Sequence, residues 1–139
     1  FDSQLGGSCI DADITLFDDE YHVFVVDNGI RQAVSKKLTG GYVYQGDQVV
    51  PNEGAVEAPT VWKRIGTDTY VLMYDNFHPT PNEMAFRETT DFKSFKPLGR
   101  FNAGVMKTTN FTNAKHGAVI PLTKREAERL AKHWKLEKY

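Results

Sequence analysis

The sequence predicts an all-β domain that ends in one α-helix. Short apolar runs dominate the first hundred residues of the 139-residue chain, and Gly, Asp, Asn or Pro turns close each run. No stretch of helical periodicity interrupts these runs, which favours antiparallel hairpins over β-α-β units. Near the end of the chain, apolar residues instead recur at helical spacing.

Six runs rich in Val, Ile, Tyr, Phe or Thr are the predicted strands. They cover residues 10–17, 21–27, 41–44, 58–65, 70–74 and 84–89. Polar turns rich in Asp, Asn and Gly are predicted at residues 18–20, 27–29 and 66–68. Because these turns are short, the strands that they join are expected to pair as antiparallel hairpins.

The predicted helix begins at a capping box. Thr123 and Glu126 have the Ser/Thr-x-x-Glu spacing in which each side chain bonds the other residue's backbone N–H. Four apolar residues then share one helical face, at Ala127, Leu130, Ala131 and Trp134. We therefore predict an amphipathic helix over residues 124–135 that packs on the sheet body.

The composition excludes several kinds of partner and scaffold. The chain has 17 Lys and Arg residues against 18 Asp and Glu residues, which gives no electrostatic case for binding nucleic acid or an anionic membrane. Cys9 is the single cysteine, so no intrachain disulfide forms. No apolar run approaches the roughly 18 residues of a membrane span, and no signal peptide opens the chain.

An internal repeat divides the strand-rich region. The triplet Ile10-Asp11-Ala12 aligns with Val56-Glu57-Ala58, and each triplet opens an apolar strand. A second strand follows in each copy, YHVFVVDN and then YVLMYDNF. The offset of about 46 to 54 residues matches the repeat length of a four-stranded propeller blade. A third blade is predicted to start near residue 116, with an insertion around Pro79 and Pro81 lengthening the second.

Equivalent positions of successive blades converge at the mouth of a propeller's central channel. In this alignment Asp11, Glu57 and His116 occupy that equivalent position. The repeat therefore predicts that three polar residues far apart in sequence lie close together in space.

These segments resemble glycoside hydrolase family 43 and its relatives, five-bladed β-propeller enzymes that cut arabinose- and xylose-containing glycans. CIDADITLFDDEYHVF resembles the second blade of that family, and VEAPTVWKRIGTDTYVLMYD resembles the third. KHGAVIPLTKREAERL is similar to a late Arg-His-Gly-Ser/Thr-Val segment. Ala12 in place of the usual Pro and Lys115 in place of Arg are departures.

The resemblance implies an inverting glycosidase that uses two carboxylates. It makes Glu57 the general acid, and Asp11 the residue that orients Glu57 and favours its protonated form. Asp13 stays an alternative to Asp11, because period-2 alternation puts both on one face of the strand. His116 would lie near the axis and help hold one structural ion, calcium or similar, largely through water. No other cofactor is required.

The family's general base is an aspartate in the first blade, upstream of the segment that Asp11 matches. Only ten residues precede Asp11, Asp2 is the one acid among them, and FDSQLGGSC does not resemble an inner strand. We therefore expect the chain to correspond to about three of the five blades. The general base would be missing, and the chain alone would be inactive or weakly active.

Trp62, Asp75 and Phe77 are the candidate substrate contacts. Packing between blades is the alternative role for Trp62, and a turn cap is the alternative for Asp75. The expected partner is a plant-type pentose-containing glycan, and the resemblance favours a periplasmic or secreted location. The alternative function is a non-catalytic propeller fragment that binds glycan or protein, with self-association through open blade edges.

Overall fold

A computed structural model describes residues 9–51, 55–77, 82–105 and 113–136 of the chain. Asp2 and the insertion around Pro79 and Pro81 lie outside the described residues. Within the described ranges, no helix combines the length and the apolar character needed to cross a membrane.

The first sheet is formed by residues 10–51. Its strands are β1 (Ile10–Phe17), β2 (Glu20–Val26), β3 (Gly29–Ser35), β4 (Val43–Tyr44) and β5 (Val50–Pro51). Strands β1 to β4 pair in chain order with antiparallel neighbours, and β5 pairs with β3. The β1–β2 and β2–β3 connections are tight because Asp18, Asp19 and Asn28 adopt positive φ, as short hairpin turns require.

The second sheet is formed by residues 56–100. Its strands are β6 (Val56–Lys63), β7 (Tyr70–Asn76), β8 (Glu83–Thr89) and β9 (Lys96–Arg100). They pair in chain order, and every pair is antiparallel. A short 3₁₀ turn, Phe101–Ala103, follows β9. Each sheet thus has the strand order of one propeller blade, and the predicted all-β, antiparallel fold class is confirmed.

Three of the strands were not predicted. Strand β3 has Arg31 and Gln32 in its centre, which hides its apolar pattern. Strand β9 contains Pro97 and Gly99, residues that are depleted in strand interiors and tolerated at a sheet edge. Strand β5 has only two residues, too few for periodicity to reveal.

An aromatic cluster joins the two sheets. Phe92 follows β8 with φ 54° and stacks on Phe17 of β1 at a ring-centroid distance of 4.4 Å. Its ring also lies 4.7 Å from His22 and 4.8 Å from Tyr70. The Phe92 N–H donates to Thr89 Oγ1 at 2.9 Å, which fixes the turn that presents the ring. These ring contacts are part of the apolar cluster that joins the two sheets.

Two aspartates of β1 also connect the sheets. The Asp11 carboxylate accepts from the Ala58 N–H at 3.1 Å, and the Asp13 carboxylate accepts from the Val61 N–H at 3.0 Å. Both side chains therefore face β6, as strand alternation predicted. Burial raises the pKa of Asp13, while its bonds to the Val61 amide and the Thr60 side chain oppose that rise.

The predicted third blade is not formed by the described residues. Residues 113–123 contain no strand, because the described part of the chain supplies no neighbouring strand with which they pair. They instead cover the outer face of the second sheet, where Ala114 and Val119 pack on a cluster that includes Met73 and Met84.

The helix forms, but its predicted packing on the sheet body is wrong. Helix α1 (Lys124–Trp134) begins with the expected capping box, in which Thr123 N–H donates to Glu126 at 2.8 Å. No residue of α1 is buried, and Trp134 is 67% exposed. The physical reason is that residues 114–119 already cover the apolar face of the second sheet.

We predict that Asp13→Ala lowers the free energy of unfolding by about 1–3 kcal/mol, because the half-buried Val61 N–H loses its acceptor. Asp13→Asn keeps an acceptor oxygen and should lose less. Urea denaturation of both variants is the measurement. Asp68→Ala, which removes an exposed ion pair with Lys63, is the control with little expected effect. Equal stability of Asp13→Ala and the parent chain would contradict a stabilising role for the Asp13–Val61 bond.

The same residue predicts a pH dependence. The folded pKa of Asp13 lies above its ordinary value of 3.8, so between these two values the folded chain binds more protons than the unfolded chain. The contribution of Asp13 to stability is therefore greatest below pH 3.8 and declines as pH rises through the folded pKa. Stability curves of the parent chain and Asp13→Asn should diverge over that window. Parallel curves would contradict the assignment.

Candidate functional site

The candidate site lies where β6 begins and β7 ends. Glu57 and Asp75 are directly paired across these two strands. A β-bulge follows at once, because the register shifts between Glu57 and Thr60 and Ala58 adopts φ 49°. A bulge bends its strand and redirects the side chains beside it. The bulge therefore sets the direction of Glu57 at the sheet's end.

The first sheet carries the same bulge, and it corrects the repeat alignment by one residue. In β1 the register shifts between Ile10 and Asp13, and Asp11 is the residue with positive φ. Matching the two bulges places Asp11 over Ala58 and places Ile10 over Glu57. The predicted equivalence of Asp11 and Glu57 is therefore wrong by one position. The sequence alignment matched the two acidic residues, whereas the positive-φ residue of each bulge shows that Asp11 corresponds to Ala58.

His116 shares the backbone feature of Asp11 and Ala58. Its φ is 48°, close to the 55° of Asp11 and the 49° of Ala58. The His116 N–H donates to both oxygens of the Asp75 carboxylate, at 3.0 and 3.1 Å. The Ala58 N–H donates to Asp11 in the same manner. At both sites a carboxylate of the preceding sheet accepts the N–H of a left-handed residue in a later segment of the chain.

Glu57, Asp75 and His116 converge at one point. His116 Nε2 lies 3.4 Å from Glu57 Oε2 and 3.3 Å from Asp75 Oδ2. The Asp75 side chain is only 3% exposed, whereas that of Glu57 is 37% exposed and that of His116 is 51% exposed. Glu57 and His116 are thus accessible to a ligand, and Asp75 supports them from behind.

The electrostatics of the site centre on Asp75. Burial raises the pKa of Asp75, and the negative charge of Glu57 raises it further. The His116 amide, the His116 ring and Lys115 act in the opposite direction. Lys115 is itself held over the Phe77 ring, with Nζ 4.1 Å from the ring centroid. The site therefore joins two adjacent carboxyl groups with an imidazole and a nearby cation.

The same three side chains are a candidate cation group. Donor atoms of Glu57, Asp75 and His116 all lie within 4.8 Å of one another. Two carboxylates and one imidazole form a donor set of the kind that zinc binds. Calcium takes six to eight oxygen ligands, so water would have to supply most of them here. Of these three, His116 is the residue that the sequence resemblance named as an ion ligand.

The other predicted site residues are spread more widely. Phe77 lies two residues beyond Asp75, and its N–H donates to Ala55 O at 3.1 Å, so it borders the site. Trp62 lies five residues beyond Glu57, about 15 Å along the strand. It packs against the cluster that includes Val71 and Met73, in line with its alternative role in packing, and the structure does not bring it to Glu57.

Sequence reasoning missed the bond between Asp75 and the His116 backbone. The available signal was the register of the β6–β7 hairpin, which pairs Glu57 with Asp75 once the turn at residues 64–69 is placed. The approach of residue 116 depends on tertiary packing. Gly117 permits it, since an added Cβ there would lie 2.7 Å from Met84 Cε and 2.9 Å from Met73 Cε.

Comparison with known families gives one match. A family model described as "Probable glycosyl hydrolase domain", of a family related to glycosyl hydrolase family 43, matches residues 1–128. No curated protein matches the chain.

We predict that Asp75→Ala frees the His116 amide. Loss of its acceptor costs about 1–2 kcal/mol locally, so hydrogen exchange of the His116 N–H should accelerate by roughly 5- to 30-fold. Asp75→Asn retains one acceptor oxygen and should accelerate exchange less. Amide exchange followed by NMR is the measurement, with the Ala58 N–H, held by Asp11, as the internal control. Unchanged exchange at His116 in Asp75→Ala would contradict the contact.

Proposed function

The chain belongs to this family of probable glycosyl hydrolase domains, and on that premise we propose that Glu57, Asp11 and His116 form the proton-donating half of a glycosidase site. The proposed substrates are arabinose- or xylose-containing oligosaccharides and polysaccharides, a preference that rests on the sequence resemblance. The single observation that carries the proposal is the accessible carboxyl of Glu57, directed by the bulge and contacted by His116.

Glu57 has the position that a general acid needs. Its neighbours Val56 and Pro59 are buried, so the carboxyl lies at the edge of an apolar surface while staying accessible to ligand. His116 contacts Glu57 through Oε2, which leaves Oε1 for the oxygen of the scissile bond. In the proposed step, Glu57 donates its proton to that oxygen as the glycosidic bond breaks.

Asp11 acts on Glu57 through the backbone. Its bond to the Ala58 N–H fixes the peptide that follows Glu57. Asp13 bonds farther along β6, at Val61. We choose Asp11 over Asp13 because Asp11 bonds the residue next to Glu57. The repeat alignment no longer supports this choice, since it was wrong by one position.

Asp75 is not the water-activating base in this proposal. An inverting pair of carboxyl groups lies about 6.5–9.5 Å apart, which leaves room for the attacking water. Donor oxygens of Glu57 and Asp75 lie within 4.8 Å of each other, too close for Asp75 to be that partner. Asp75 instead positions His116, and through it Glu57.

A second candidate function is glycan binding without hydrolysis. The observation in its favour is that Asp75, the carboxylate paired with Glu57, lacks the spacing of a base. A pure binding site needs hydrogen-bond donors and acceptors but no proton transfer. Oligosaccharide affinity that is indifferent to Glu57→Gln and Asp11→Asn, with no turnover under any condition, would favour this function.

We predict that azide increases turnover of 4-nitrophenyl arabinofuranoside or xyloside by the chain. Azide attacks the anomeric carbon without needing a base, so the C–O bond breaks, a C–N bond forms, and Glu57 protonates the leaving oxygen. The product should be a glycosyl azide of inverted configuration. Glu57→Gln should lower the azide-dependent rate by about 10²–10⁴-fold for glycosides with poorly acidic leaving groups, and least for the 4-nitrophenyl glycosides, whose leaving group needs little protonation.

Asp68→Asn, at an exposed turn, is the matched control and should behave as the parent chain. Azide-dependent turnover that survives Glu57→Gln for every leaving group would contradict the role of Glu57. Turnover without azide that disappears in Glu57→Gln would show instead that the base lies within the chain.

A further inference from the structure

We infer that a polar groove at the opposite end of the sheets is a second binding site, for a neutral oligosaccharide. Its volume is about 840 Å³, within the ordinary range of ligand-binding clefts. Its lining includes Glu20 at the start of β2 and Asp91 just after β8. Glu57 and Asp75 lie at the other ends of their strands, so the groove is separate from the candidate active site.

The floor of the groove is a buried polar pair. His22 is 7% exposed and Gln32 is 3% exposed, and Gln32 Nε2 lies 2.6 Å from His22 Nδ1. Burial lowers the pKa of His22, although Glu20, Asp18 and a bond to the Phe17 backbone oppose that shift. A neutral ring that bonds the Phe17 backbone through one nitrogen accepts from Gln32 through the other.

This pairing directs the remaining polar atom of Gln32 into the groove. Gln32 lines the groove, and His22 engages its Nε2. Among the described residues, Oε1 is therefore the polar atom of this otherwise buried side chain that a ligand could use. A fixed acceptor of this kind suits a ligand that donates hydrogen bonds.

The walls of the groove suit a neutral, hydroxyl-rich ligand. Three acidic side chains, Glu20, Asp47 and Asp91, face two basic ones, Lys36 and Lys93. The formal charges nearly cancel, so neither anions nor cations are selected. The amides of Gln45 and Gln48 and the apolar surfaces of Val49 and Phe95 complete the lining. Amides and mixed charges bond hydroxyl groups, and apolar patches contact the C–H faces of sugar rings.

The identity of the ligand class rests on the proposed function. A pentose-rich polysaccharide is neutral and hydroxyl-rich, which matches the lining of the groove. A long polysaccharide bound near Glu57 could also contact this second site. Two sites that engage one polymer raise its overall affinity beyond that of either site. We therefore assign the groove to the same class of glycan, as a retention site and not a catalytic one.

The test uses NMR titration of the Glu57→Gln variant with xylohexaose and, separately, arabinohexaose. We expect concentration-dependent shifts of the backbone amides of Gln45, Gln48 and Lys93. Combined Gln48→Ala and Lys93→Ala substitutions should weaken these shifts at least fivefold without affecting those of His116. Gln32→Met, which removes the floor acceptor, should do the same, with thermal melting as the check on folding. Lys124→Ala on α1 is the matched control.

Groove amides that stay unmoved by both sugars at 10 mM, or shifts indifferent to the groove variants, would overturn the inference. Shifts produced only by an acidic oligosaccharide, such as a galacturonic acid hexamer, would also overturn it. The two proposals fail separately. If the groove amides shift and the His116 amide does not, only the proposed active site is contradicted. If the His116 amide shifts and the groove amides do not, only the groove proposal is contradicted.

Discussion

The structure depends on one kind of bond, in which a carboxylate of one sheet accepts the backbone N–H of a left-handed residue in a later segment. Asp11 holds Ala58 in this way, and Asp75 holds His116. A non-glycine residue with positive φ is uncommon and is strained without support. The carboxylate supplies that support, and the same contact links one blade-like unit to the next. The same contacts therefore stabilise the fold and position the side chains of the candidate site.

This arrangement explains why the accessible acid and the buried acid differ in role. Glu57 and Asp75 are cross-strand partners, yet the bulge leaves Glu57 accessible and Asp75 buried. A buried carboxyl is costly unless its oxygens are satisfied, and the His116 amide and ring satisfy those of Asp75. The histidine then contacts Glu57 from the other side. Packing of residues 114–119 over Met73 and Met84 keeps His116 in place.

Much of the fold was predictable because it depends on local pattern. The hairpin turns at Asp18 and Asn28, the capping box at Thr123 and five strands are encoded by neighbouring residues, and those strands are β1, β2, β6, β7 and β8. The site was predictable only in part. The sequence singled out Glu57, Asp11 and His116, but the one-residue correction of the repeat required the bulges. The packing of α1 and the location of Trp62 depend on which surfaces other segments already cover, which periodicity does not encode.

We propose that Glu57 faces the scissile bond of a bound glycan, while the buried Asp75 holds His116 against it. The most direct measurement is a crystal structure of the Glu57→Gln variant with a bound arabino- or xylo-oligosaccharide. We expect a glycosidic oxygen within about 2.6–3.2 Å of the substituted side chain, with the His116 N–H still bonded to Asp75. A sugar bound away from residue 57, or a residue 57 side chain directed away from every glycosidic oxygen, would contradict it.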